Sequence, residues 1–497
     1  MFCFNALVEK QWIDRERLTF PLLYIPLELT RNVGAPEGGE RHGVRSLLYQ
    51  RGFWMGVSIP FTIGSFNALH RYLPTVPQIP LQFPLVPDGS VSPPWTGLGT
   101  MDLTISFPLI AIAFIVPADI SLSCWVFHFI TRVESVIGTL RTGTAPNVYT
   151  SAFPALYYQG SGAMIMLFFL LCWSARKQLK QAVTGLWRKR NDGMTESWSN
   201  GKSSSQHSTA PPLHHSTAVL GFLAGLLFLS AWLKFAGMSF ITITWFLAML
   251  FIFLIVFTRV RAETGLGALL PPMFTNEIMF LPLGTRFFSP QDITLLQALR
   301  PVYRMMGVLW TVQGQLESFK IADEARLSKR AVGWAMMVAM VLGFFLAFAL
   351  ALQVFYRYGF INLPAGLRGR GYLGSQGYWS YGNLQIYLTQ PEGSDTGGLL
   401  GMSAGAVICW TTAFLRARFP WFPLHPVGFM SAHSWGMHLN WFPFLLGWAA
   451  KVSLVRYGGL TIYRRTLPFF VGLLVGSTLS SGVWGLVGWA VGKPMEI

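Results

Sequence analysis

Residues 104–130 read TISFPLIAIAFIVPADISLSCWVFHFI. Widened to 103–131, the run is 29 residues long and carries one formal charge, Asp119. A helix needs about 20 apolar residues to cross a bilayer, so the run is long enough to cross. Pro117 cannot donate a backbone hydrogen bond and clashes with the turn before it, so a break is expected there, with Asp119 two residues on. A carboxylate in such a run is costly in lipid unless it faces a cavity or a partner. The stretch therefore points to a membrane protein built from interrupted helices.

The rest of the chain agrees. Of its 497 residues 52% are hydrophobic, 15% aromatic and only 12% charged, about half the roughly 25% charged residues of a soluble domain. Lysine and arginine number 37 against 21 Asp and Glu, a formal net charge of +16. No basic face interleaved with aromatics sits on a polar domain, so nucleic acid is not an expected partner. The lipid bilayer is. Cys3, Cys124, Cys172 and Cys409 are scattered, with neither metal-ligand spacing nor a disulfide framework.

Soluble-enzyme motifs fail. Gly201-Lys202-Ser203 has the tail of a phosphate-binding loop, but Glu196 stands where its first glycine belongs. Gly369 to Gly374 matches GxGxxG without a flanking strand and helix. HExxH and CxxC do not occur. The chain is expected to be no enzyme and to need no metal or cofactor.

Apolar runs place further spans near 153–175, 217–236, 239–259, 331–354, 398–416 and 467–491, with weaker ones near 48–70 and 439–456. The Pro-rich loop 72–101 and the stretch 355–397 read as outside. The basic loop 176–216 reads as a flexible cytoplasmic linker. Leu295, Leu296, Leu299, Val302, Met306 and Leu309 recur at helical spacing, so 290–330 is expected to form amphipathic helices along the membrane surface. Cations sort to the cytoplasmic side. That rule puts 260–330, Arg416, Arg418, Lys451, Arg456, Arg464 and Arg465 inside, which makes 421–438 an irregular span and requires 103–140 to enter and return. The resulting plan has an N-terminal cytoplasmic or interfacial segment 1–47, a first helix group 48–175, the linker 176–216, a hairpin 217–259, cytoplasmic amphipathic helices 260–330 and a C-terminal helix group 331–497. The fold class is all-α, a polytopic transmembrane bundle of about nine to eleven spans with interrupted helices and amphipathic surface helices.

Asp119 is the sharpest single candidate. It is either a proton or cation coupling site or a cap for the helix that follows. His425, His433, His438 and Asn440 cluster in a second segment. They either line a polar cavity, where histidine can exchange protons, or make helix–helix hydrogen bonds. Arg261 and Glu263 could form a gate, or Arg259 and Arg261 could be snorkelling interface charges. Lys451 reads as a positive-inside residue. The pairs Gly221/Gly225, Gly401/Gly405, Gly472/Gly476 and Gly488/Gly492 permit close helix approach, within one chain or an oligomer.

FPLHPVGF (422–429), the run 439–477 (LNWFPFLLGWAAKVSLVRYGGLTIYRRTLPFFVGLLVGS), TRVRAETG (258–265) and WIDRERLTFP (12–21) resemble an uncharacterised bacterial multipass membrane family. That family is in turn distantly similar to the oligopeptide transporter superfamily. The resemblance covers most of the chain. It implies a bundle with a mid-membrane site. In such families the WIDRERLTFP-type segment follows several N-terminal helices, so an N-terminally shortened chain is expected. Three functions stay open. The first is a secondary transporter in the bacterial cytoplasmic membrane that moves a small polar or peptide-like solute. The others are a non-catalytic subunit of an envelope complex, with a homo-oligomer or complex partner, and a lipid-modifying membrane enzyme.

Overall fold

The computed structural model describes residues 1–16, 18, 20–23, 26, 48–86, 92–99, 101–144, 151–174, 176, 215–266, 272–304, 307–359 and 372–491. The linker expected at 176–216 and the glycine motif at 369–371 lie outside the described residues, apart from a few at the linker's ends. Described helices are α1 (Phe2–Glu9), α2 (Arg51–Tyr72), α3 (Phe107–Ile115), α4 (Ala118–Thr142), α5 (Leu156–Ser174), α6 (His215–Phe235), α7 (Phe240–Thr264), α8 (Thr275–Leu283), α9 (Pro290–Arg304), α10 (Gly307–Glu324), α11 (Lys329–Tyr358), α12 (Tyr372–Thr389), α13 (Thr396–Arg418), α14 (Pro426–Ala432) and α15 (Trp435–Val491). A ribbon of β1 (Gln82–Pro84) and β2 (Asp102–Thr104) pairs antiparallel, with Phe83 opposite Leu103. The architecture is all-α around this one small ribbon.

Seven of these helices are long and apolar enough to cross a membrane. One of the seven, Gly436–Val491, is really two arms. Gly459 has φ 65° and ψ −171°, a left-handed φ that glycine adopts without the Cβ penalty, and there the chain folds back. Ala450 and Leu454 before the bend join Tyr463 and Leu467 after it in one apolar cluster.

The run quoted above breaks where expected. α3 ends at Ile115, Val116 and Pro117 are extended, and α4 starts at Ala118. α3 and α4 form a V, with the first arm of α15 packed against both. Gly447 lies on Ala113, and the Lys451 ammonium reaches the carbonyls of Ile115 and Val116 at 3.4 and 2.8 Å. The chain therefore reverses direction at Pro117, between α3 and α4.

Two expectations are corrected. Residues 421–438 hold the seven-residue α14 and the first turn of α15, and α14 is about 10 Å long at 1.5 Å per residue, too short to span. The His425 amide bonds Ser123 near the start of α4, whereas His438 meets Arg132 past its middle. The chain then returns along α15 to Val116, so α14 and α15 make a re-entrant hairpin that keeps Arg416 and Lys451 at one end without a full crossing. Pro426 starts α14, and its turn at His433–Ser434 stops it.

The amphipathic segment 290–330 is the second correction. It runs lengthwise beside α7 rather than across its end. Asp292 accepts from the Ser239 amide at 2.7 Å, Tyr303 meets Phe246, Gln313 bonds the Phe257 carbonyl at 3.2 Å, and Glu317 pairs with Arg261 at 2.6 Å. The register advances steadily along both helices. The polar stripe of α9 faces protein, since Gln297 and Arg300 are buried with Leu296. Residues 372–389, expected to lie in an outside loop, form α12, which packs on α9.

Glycines set the closest contacts. Gly56 of α2 lies on the Phe469 carbonyl, Gly472 and Gly476 on those of Phe53 and Val57, and Gly405 of α13 on that of Gln159. Gly225 has open space around it, so the predicted close approach fails there. Gly56→Ala should therefore lower the unfolding temperature in detergent, because its Cβ forces a shift costing about 1–3 kcal/mol. Gly225→Ala should leave it unchanged or raise it through helix propensity.

Candidate functional site

The far end of the bundle, opposite the end that holds Arg261, Arg416 and Lys451, contains a cavity of about 510 Å³. Its walls come from the first turn of α5, from α8, α9 and α12, and from the segments at 284–285 and 392–395. Apolar and aromatic groups dominate the walls, among them Phe274, Phe280, Trp379 and Tyr387. Charged groups are few, and each is fixed by its element.

Glu277 sits in the first turn of α8. Its Oε2 accepts from the Phe274 amide at 3.1 Å, half of a capping box that satisfies an orphan helix donor. Its Oε1 takes Arg300 Nη2 at 2.8 Å. Arg300, on α9, is 2% exposed. Its Nη1 donates to the Trp379 carbonyl at 2.8 Å, while its buried Nε has no partner among the described residues. Asp395 caps α13, Oδ1 accepting from the Gly398 amide at 2.9 Å, and its side chain also hydrogen-bonds Tyr158. The cavity thus presents carboxylates at Glu277, Asp395 and Glu392 and the guanidinium of Arg300. Nearby, the fully buried side-chain amides of Asn276 and Gln297 also have no partner among the described residues. A polar solute with both signs of charge fits this lining better than an apolar one.

None of the residues singled out from sequence lines this cavity. Asp119 sits at the opposite, basic end, where Oδ2 accepts from Arg416 Nη2 at 2.5 Å. It is neither alone nor a cap, since α4 starts before it and Pro117 is its N-cap residue. His425 lies beside it. The His425 amide bonds Ser123 Oγ at 2.7 Å, and Nδ1 caps α14 through the Val427 amide at 3.2 Å. His433 and His438 are drawn into the middle of α4 with His128 and Arg132, a grouping the sequence reading missed because Arg132 falls just beyond the apolar run. His128 and Arg132 are four residues apart, the spacing that puts them on one helix face. Asn440 does not join them. Its amide donates to the Gly436 carbonyl of its own helix at 2.7 Å.

The expected Arg261–Glu263 gate is also corrected. Residues two apart on a helix do not face each other. Arg261 turns to Glu317 on α10, at 2.6 and 3.0 Å, while Glu263 pairs with Arg259 at 3.3 Å. Arg259 also contacts Glu16. Nearby, the buried Lys329 ammonium takes Glu9 at 2.6 Å and Asp323 at 2.9 Å. Among the described residues no group of three or more His, Cys, Asp or Glu could hold a metal ion.

An all-α chain with seven membrane-length apolar helices and a charged cavity between short helices defines the class. The chain belongs to a family of unknown function, DUF6785, whose model matches residues 1–497. No curated protein matches it.

The two charged sites should respond differently to mutation. Arg300→Met leaves Glu277, whose side chain is 19% exposed, and the Trp379 carbonyl without their donor and should cost about 1–3 kcal/mol of stability. Asp119→Asn breaks a pair that is 39% and 29% exposed, worth about 0–1 kcal/mol. Thermal unfolding of both variants in detergent checks the contrast.

Proposed function

We propose that this chain is a multipass secondary transporter of the bacterial cytoplasmic membrane. It moves a small polar or peptide-like solute by alternating access, driven by a proton or cation gradient. The helices α6 and α11 support the membrane setting, since 11% and 0% of their apolar windows are buried and such surfaces need lipid or a partner around them.

The observation that carries it is the far-end cavity. Its volume of about 510 Å³ lies in the roughly 300–1,000 Å³ range of small-molecule sites. Interrupted helices that expose backbone and charge beside a cavity are the places where transporters bind solute and ions. A solute carboxylate would meet the Arg300 guanidinium, and a solute ammonium would meet Asp395 and Glu392 against the aromatic walls. At the basic end the pairs Asp119–Arg416 and Arg261–Glu317 close the path. That arrangement is a state open toward the far end, and the opposite state requires those pairs to separate.

Purified protein in proteoliposomes should take up labelled amino acids or di- and tripeptides when a proton gradient is imposed. Asp395→Asn keeps the cap oxygen but loses the charge, so uptake at low solute should fall about tenfold or more with an unchanged melting temperature. Folded protein that moves no member of this panel under any imposed gradient would sink the reading.

A further inference from the structure

Midway along α4, away from the far-end cavity, lies a cationic and donor-rich cluster that the transport reading does not use. His128 is fully buried, and neither ring nitrogen has a partner among the described residues. Its ring stacks on Trp441 of α15, with centroids 5.9 Å apart and planes at 10°. Trp441 Nε1 is buried and also lacks a partner among the described residues. One turn along α4 from His128, Arg132 reaches His438, Nη2 lying 2.5 Å from Nδ1. A guanidinium stays protonated, so it donates and His438 accepts as a neutral ring. Arg132 Nη1 makes a long bond of 3.3 Å to the Leu98 carbonyl, and its buried Nε has no partner among the described residues.

Two nearby carboxylates bond neutral side-chain amides instead of Arg132. Glu134 Oε2 accepts from Gln159 Nε2 at 3.0 Å, and Asp102 Oδ2 accepts from Gln82 Nε2 at 2.6 Å. No carboxylate pairs with Arg132 among the described residues. His433 bonds the Phe429 carbonyl through Nδ1 at 2.8 Å. A buried cation without a counter-charge is expensive. Water can satisfy the free N–H groups but leaves the charge uncompensated, whereas an anion answers both.

We propose that Arg132, His128 and Trp441 form a binding site for a small monovalent anion, either a halide or a carboxylate group. The Arg132 charge holds it, and the N–H groups of Arg132 Nε, His128 and Trp441 Nε1 orient it. The site stands apart from the cavity: a failed uptake assay leaves it intact, and its own failure leaves the cavity reading intact.

The test uses the full-length protein in detergent, with sodium chloride or sodium acetate exchanged for sodium methanesulfonate at constant ionic strength. The melting temperature should rise saturably with chloride, acetate or both. A response to chloride alone assigns a halide, and a response to acetate alone a carboxylate. Trp441→Phe removes one neutral donor and should raise the half-saturating concentration about 3- to 10-fold. Arg132→Gln should abolish the response, while Arg416→Gln at the basic end should keep it. A wild-type melting temperature equal in all three salts overturns the proposal, and so does a Trp441→Phe protein that saturates at the wild-type concentration. Should Arg132→Gln fail to fold, the Trp441→Phe comparison decides.

Discussion

The Lys451 ammonium on the carbonyls of Ile115 and Val116 is the contact on which the bundle's plan depends. Pro117 stops α3 from continuing, and the last turn of any helix leaves carbonyls without donors. Buried carbonyls of that kind need a partner, and a cation at a helix C-terminus also meets the favourable end of its dipole. Lys451 supplies both. By doing so it pins the first arm of α15 into the V of α3 and α4, and the α14 hairpin must then fold back beside α4. The lysine that reads in sequence as an orientation signal is thus also the bracket of an interrupted helix.

Apolar length made most of the architecture legible. The runs near 153–175, 217–236, 239–259, 331–354 and 398–416 became α5, α6, α7, α11 and α13 within a few residues, because burial in lipid or protein demands the same composition. Length could not show what an amphipathic stripe faces. The periodicity of 290–330 is real, but its polar side, with Gln297 and Arg300, turns to the protein interior and to the far-end cavity instead of to water. α12 escaped for the opposite reason. Its sequence, rich in Gly, Ser and Tyr, lacks the apolar run that marks a span, and it is a helix because it packs on α9.

The candidate site was less legible, since its chemistry lies in pairings across the chain. Asp119 stands out as the lone charge of its run, yet its partner Arg416 is 297 residues away. Glu277, Arg300 and Asp395 looked ordinary where they stood and became a site only when α8, α9 and the start of α13 met. His128 and Arg132 did carry a local signal in their i,i+4 spacing. Reading the helix through to Thr142, past the end of the apolar run, would have found it.

Differences in burial also say which parts of the basic end can move apart. Glu9 and Lys329 are 2% and 3% exposed, and Lys329 also pairs with Asp323. Separating them would strand a buried charge at a cost of about 3–5 kcal/mol, so α1, α10 and α11 behave as one body. Asn5 reinforces it with bonds to the Val312 carbonyl and Gln315. Asp119 and Arg416 are solvated, and their separation costs at most about 1 kcal/mol. Any opening of the basic end therefore begins where α13 meets the start of α4. The Gly405 contact of α13 with the Gln159 carbonyl of α5 leaves little room for those two helices to slide apart. In the proposed transport cycle α5 and α13 would move together at the Asp119–Arg416 contact, and α5 carries Tyr158 at the wall of the far-end cavity. One rigid displacement would thus change both ends of the bundle together.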